Sequence, residues 1–146
     1  MLSAIIIAHL AVALCAQALA GRIGSRGYLV MAVVPAAAFG WLLTLAPLVS
    51  SGGYYTESFT WIERLGVGIV YRVGMLQWLL ALIVTGVGAL VLIYCRWYFE
   101  DGAGRRAMGV LTAFAAAMLG LVTVDDLVML YVFWELTTVF SYLLIG

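Results

Sequence analysis

Apolar residues run almost unbroken through five stretches, at positions 2–20, 28–50, 73–95, 107–124 and 127–145, and polar residues collect between them. Each stretch is close to the ~20 residues that an α-helix needs to cross a bilayer. The pattern predicts an all-α integral membrane protein, a single membrane domain over 1–146 with five transmembrane helices. A signal peptide is the rival for the first stretch, because Ala16-Gln17-Ala18 resembles a small-residue cleavage site. No positive residue precedes it, and it is longer than the usual ~7–15 apolar residues, so a retained helix is expected. Pro35 and Pro47 in the second stretch predict a kink and an exit. Between the second and third helices, Tyr55 to Ile62 mixes aromatic, Thr and charged residues. With Gly66-Val67-Gly68 as a turn and Ile69 to Tyr71 returning, this reads as a short surface β-hairpin. In the fourth stretch Gly109, Ala113 and Ala117 lie four apart, which lets two helices pack at close backbone distance.

Composition agrees with the pattern. The chain is 66% apolar and 10% charged, whereas a soluble domain is about one quarter charged; a cytosolic globular enzyme is excluded. The net charge is zero and the seven basic residues are scattered arginines, so nucleic acid is not an expected partner. Cys15 and Cys95 fall inside apolar runs and are read as small hydrophobes, with neither a disulfide nor a metal site between them. No phosphate-binding loop, dinucleotide fingerprint, metal-ligand cluster or hydrolytic triad is present, and no cofactor is expected.

Arginine sets the orientation. The first and third connections carry Arg22, Arg26, Arg96, Arg105 and Arg106, the second and fourth only Arg64 and Arg72. That bias puts the N-terminus, the hairpin and Asp125-Asp126 outside.

Any chemistry must come from isolated ionisable groups within the membrane. Glu135 stands near the middle of the fifth helix, where an unpaired carboxylate costs about 3 kcal/mol on insertion scales. It must face protein or water, have a partner, or hold a proton. Tyr131, Glu135, Thr138 and Tyr142 fall at i−4, i, i+3 and i+7, one polar stripe able to support a water-lined path. Every arginine lies near a helix end, so the partner of Glu135 is expected beyond this chain. The plainer reading is a structural ion pair between helices. His9, mid-depth in the first helix, is either a proton relay or a satisfied interior group. Asp125 is a possible relay at the membrane boundary, and Asp126 reads as the N-cap of the fifth helix. Gln77 reads as an interhelical hydrogen-bonding group.

Phe133-Trp134-Glu135-Leu136-Thr137-Thr138, closing with Ser141-Tyr142-Leu143-Leu144-Ile145-Gly146, resembles the fifth helix of the antiporter-like subunits. These are the large subunits shared by Mrp-type Na+/H+ antiporters, respiratory complex I and membrane-bound hydrogenases. Tyr71-Arg72-Val73 followed by Leu79 to Leu90 is similar to their third helix. Leu136-Thr137-Thr138 after the Trp-Glu pair looks like the A-type subunit of the Mrp branch; complex I usually continues with Gly-Val-Gly. The resemblance implies that Glu135 matches the family's helix-five glutamate, whose partner is a lysine on helix seven. It also implies inverted five-helix repeats that begin at helix four, other antiporter subunits, Na+ and H+, the lipid bilayer and the remainder of the subunit as partners, and the cell (inner) membrane of a prokaryote as location. Gly74-Met75-Leu76-Gln77 replaces the family's Asp-Gly-Leu-Ser-like start of helix three, and the family runs on for many helices beyond Gly146. The chain is therefore expected to be part of a longer subunit or one product of a split gene. The function expected is a component of a cation/proton antiporter; the alternatives are a proton-pumping module of a redox complex and a structural membrane scaffold.

Overall fold

The structure is a computed structural model and describes residues 1–62, 67–99 and 104–145, without the side chains of 17–21, 23, 25, 61, 62, 67, 105 and 106. It is mostly helical, with one two-stranded sheet. Helix α1 (Leu2–Ile23) passes through a 3-10 turn at Gly24–Arg26 into α2 (Gly27–Thr44), and a short α3 (Ala46–Ser50) follows. Strands β1 (Tyr55–Ile62) and β2 (Val67–Val73) lead to α4 (Met75–Tyr98), α5 (Arg105–Thr123) and α6 (Leu127–Ile145). Three of these, α2, α4 and α6, are long and apolar enough to cross a membrane; Leu2–Ala16 and Ala107–Thr123 are shorter apolar helical stretches among the described residues.

The second helix departs from expectation at its end. The stretch expected to run to Ser50 breaks at Leu45, whose N–H turns back to the Leu42 carbonyl. Pro47 then sits in the first turn of α3, where its missing N–H costs nothing. Gly52 closes α3 with φ at 82°, the left-handed conformation that favours glycine. Pro35 lies buried inside α2, which continues past it. Helix α4, the third of the expected spans, begins at Met75 rather than Val73, because Val73 still pairs with Tyr55 in the sheet.

The hairpin is antiparallel, with Tyr55 opposite Val73, Glu57 opposite Tyr71 and Phe59 opposite Ile69. Alternation puts Tyr71 and Val73 into the core and leaves Thr56, Ser58 and Arg72 exposed on the other face. Of the expected turn, Val67 and Gly68 belong to β2 and Gly66 lies outside the described residues.

Helix α5 is the centre of the bundle and packs against α1, α4 and α6. Its Gly109, Ala113 and Ala117 are all buried, as the small-residue spacing predicted. Buried hydroxyls on Thr85, Thr112 and Thr123 donate to carbonyls one turn back, at 2.7, 3.0 and 2.6 Å, so none of the three is stranded in the apolar packing. Two core clusters mark the ends of the bundle. Leu2, Ile6, Leu42, Tyr71, Leu119 and Phe133 meet near the hairpin, and Ala16, Tyr28, Leu92, Cys95 and Met108 meet at the opposite end. Cys15 is exposed and Cys95 buried, both as free thiols.

Candidate functional site

Packing on α5 sets the two faces of α6. Met129 and Phe133 point inward and are 6% and 8% exposed. Tyr131, Glu135, Thr138 and Tyr142 occupy the opposite face and are all exposed, Tyr142 at 70%. The structure thus brings the expected stripe onto one face, and it opens away from this chain rather than into a cavity within it. Among the described residues Glu135 has no ion-pair partner. Beside the stripe an open groove of about 410 Å³ runs between α5 and α6, lined by Phe114, Met118, Trp134, Thr137, Thr138 and Ser141. The hydroxyls of Thr137 and Thr138 both donate to the Trp134 carbonyl, at 2.6 and 3.3 Å. A carboxylate on an otherwise apolar helix, flanked by hydroxyls, is accommodated within a bilayer only where protein or water meets that face.

The other candidates lie elsewhere. His9 is fully buried on α1, which packs on α5 and α2, so it does not share the exposed surface of Glu135. Its Nδ1 lies 2.8 Å from the Ile5 carbonyl, and its Nε2 is buried with no hydrogen-bond partner. Asp125 is exposed just before α6; its backbone N–H donates to the Val70 carbonyl at 2.7 Å, and its carboxylate is 3.8 Å from Arg72. Glu135 lies eight residues beyond Leu127, the first residue of α6, so at least about 12 Å of helix separates it from Asp125. Asp126 caps α6, accepting from the Met129 N–H at 2.9 Å. Gln77 caps α4 instead of reaching another helix: its side-chain oxygen accepts from the Gly74 N–H at 3.2 Å. Among the described residues no group of three His, Cys, Asp or Glu side chains is gathered to hold a metal ion.

One residue absent from the sequence-derived candidates holds the end of the bundle together. The Glu57 carboxylate accepts from the Met1 amine and the Leu2 N–H, each at 2.6 Å, from the Tyr55 hydroxyl at 3.0 Å, and from the Ser3 hydroxyl. Burial pushes its pKa upward, but the amine, Ser3, Leu2 and Tyr55 outweigh this and bring it down to about 2. The available signal was Tyr55 and Glu57 two apart on one strand face; the partners from α1 are invisible to local pattern.

These contacts order the ends of the bundle. The N-terminus touches the hairpin through Glu57, and the α5–α6 link joins it through Asp125 and the Tyr71–Val124 bridge. At the other end the Tyr28 hydroxyl donates to the Gly104 carbonyl at 2.6 Å, and its ring stacks on Phe99 at 6.0 Å.

No protein-family model matches the chain. It is 39% identical over 103 residues, 70% of its length, to the A/B-type subunit of a probable K(+)/H(+) antiporter of Rhizobium meliloti. It is 36% identical over 116 residues, 78% of its length, to the A-type subunit of the Na(+)/H(+) antiporter of Alkalihalophilus pseudofirmus. The L-type subunit of NADH-quinone oxidoreductase from Mycobacterium tuberculosis is 37% identical over 133 residues, 86% of the chain. The chain spans only 10%, 14% and 21% of these three relatives, respectively. Among solved structures, the Mrp complex from a Dietzia species contains a chain that matches 99% of this one, with a TM-score of 0.84 and 32% identity; the match covers 16% of that chain. The protein belongs to the antiporter-like subunit family, and what it resembles there is the N-terminal portion of the A-type subunit of Mrp antiporters.

Proposed function

We propose that the chain is a component of a multi-subunit monovalent cation/proton antiporter, exchanging Na+ for H+, and that it contributes a membrane proton path in which Glu135 is the relay acid. The observation that carries the reading is a carboxylate exposed on an otherwise apolar helix, in a chain that follows part of an Mrp complex over 99% of its own length. A charge on that face is tolerated in a membrane only against protein or water. The partners in this reading are the remainder of the antiporter-like subunit, the other antiporter subunits, and the bilayer. Tyr131, Thr138 and Tyr142 hold the water beside Glu135. His9 and Asp125 are secondary candidates.

The membrane arrangement belongs to the same proposal: a single membrane domain crossing the cell membrane of a prokaryote five times, N-terminus outside. Two facts support it. The N-terminus, the hairpin and the α5–α6 link share one end of the bundle, as they do if α1 with α2 and α4 with α5 each make two crossings. The arginine bias then sets that end outside.

A second reading, a proton-pumping component of a redox complex, draws on the 37% identity to the oxidoreductase relative. Inside-out vesicles containing the assembled complex separate the two. The antiporter reading expects a Na+-induced pH change under any imposed proton gradient, and co-purification with small antiporter subunits. Proton movement that requires electron transfer, with flavin and iron–sulfur proteins bound, would overturn it.

A further inference from the structure

Phe133 and Glu135 are two residues apart on α6, about 200° around the helix. One points into the bundle and the other out of it. The Phe133 ring lies directly on the backbone of α5 at Gly120, so that a Cβ added there would overlap three ring carbons. Across from this seat stands Tyr71, 5% exposed, its ring centroid 6.5 Å from that of Phe133 and inclined at 52°. Tyr71 is itself fixed by its bridge to Val124 and by the adjacent hydrogen bond from Asp125 to Val70. Three elements therefore converge on one ring: β2 from the hairpin, the end of α5, and α6.

We propose that Phe133, seated on Gly120 and closed in by Tyr71, is the positioning residue that sets the rotation of α6 and hence where the Glu135 carboxylate is presented. The proposal rests on the reading of Glu135 as the relay acid. A side-chain tip lies ~5–6 Å from the helix axis, so a turn of about 10° moves it about 1 Å. A misplacement of that size can cost a transfer step about 100-fold. A glycine at position 120 does more than allow close packing. It leaves the α5 backbone bare where a planar ring presses against it, and the ring's inclination is then limited by Tyr71. The outer hairpin thereby becomes part of the positioning of a group deep in α6, without touching it.

The test uses the assembled complex, with Cys15 and Cys95 replaced by Ser, and two readouts. The first is the rate of disulfide formation between Met118→Cys and Trp134→Cys, which both line the α5–α6 groove. The second is the pH midpoint of cation-induced proton movement. Gly120→Ala should change the cross-linking rate by about threefold or more and move the pH midpoint by about half a unit or more. Phe133→Leu, combined with Gly120→Ala, should restore both, because the shorter side chain makes room for the Cβ. Tyr71→Leu should reproduce the shift with both helices unaltered, and it replaces Gly120→Ala as the decisive variant if the latter does not assemble. An unchanged cross-linking rate or pH midpoint in the assembled variant overturns the proposal, as does failure of the double variant to recover either. Full transport by Glu135→Gln is a separate result: it overturns the relay reading, whereas the cross-linking rate reports the rotation of α6 regardless.

Discussion

Glu57→Gln removes one negative charge where four donors converge, and its consequence can be worked through from the structure. The Glu57 carboxylate is 12% exposed, accepts from Met1, Leu2, Ser3 and Tyr55, and is held at about 2 against an ordinary value of 4.5. At ~1.4 kcal/mol per pH unit that difference corresponds to about 3 kcal/mol. Discounting for the water that reaches this end of the bundle leaves about 2 kcal/mol. The folded value lies below the unfolded one, so the contribution is fully present above about pH 4.5 and is lost as pH falls toward 2. Hydrogen exchange of hairpin amides in the assembled complex, corrected for intrinsic rates, reads it out. At pH 7 the variant should exchange about 30-fold faster than the parent over Tyr55–Phe59, which is ~2 kcal/mol in local opening. The ratio should shrink at about pH 3, where part of the linkage is already lost. Equal exchange at pH 7, or a ratio independent of pH, would refute the account of what joins the N-terminus to the hairpin.

Three other outcomes follow from the same structure. Cysteines at Ser58 in the hairpin and Ser25 in the first connection should label differently in intact cells, Ser58 with an impermeant reagent and Ser25 only after permeabilisation; labelling of Ser25 from outside contradicts the proposed topology. Ala113→Leu or Gly109→Leu should lower the amount of assembled complex severalfold, since both positions are buried on the central helix α5; normal assembly of both would mean that this face tolerates bulk. His9→Leu removes a ring whose Nε2 is buried without a partner, and stranding such a group costs ~1–3 kcal/mol. The variant should therefore assemble with an unchanged or raised melting temperature; retained transport would leave His9 a structural group, and loss of transport with normal assembly would make it a relay.

The strongest sequence signals were those with a local cause. Apolar length marked out the helical stretches, and the mix of aromatic, Thr and charged residues from Tyr55 to Ile62 marked β1. Asp126 was readable as a cap because capping is a three-residue relationship. The second helix breaks at Leu45, about five residues before the end of its apolar stretch, because Pro47 opens a further helix instead of marking the exit. Periodicity put Tyr131, Glu135, Thr138 and Tyr142 on one face but did not say which way it points; that is decided by Phe133 meeting Gly120 on another helix. Glu57 escapes notice for the same reason. A hairpin acid reads as a solvated charge until the start of α1, more than fifty residues earlier, arrives beside it. What stayed hidden was long-range contact.

The central claim, that Glu135 carries protons in a cation/proton exchange, is tested most directly by one pair of variants. Glu135→Gln keeps the shape and most hydrogen bonding of the side chain but cannot ionise, whereas Glu135→Asp keeps the charge at a shorter reach. The measurement is the Na+-induced pH change in inside-out vesicles, normalised to the amount of assembled complex. Both variants should assemble normally, with exchange abolished in Glu135→Gln and partial in Glu135→Asp. Full exchange by Glu135→Gln would contradict it and reduce Glu135 to a structural group on α6.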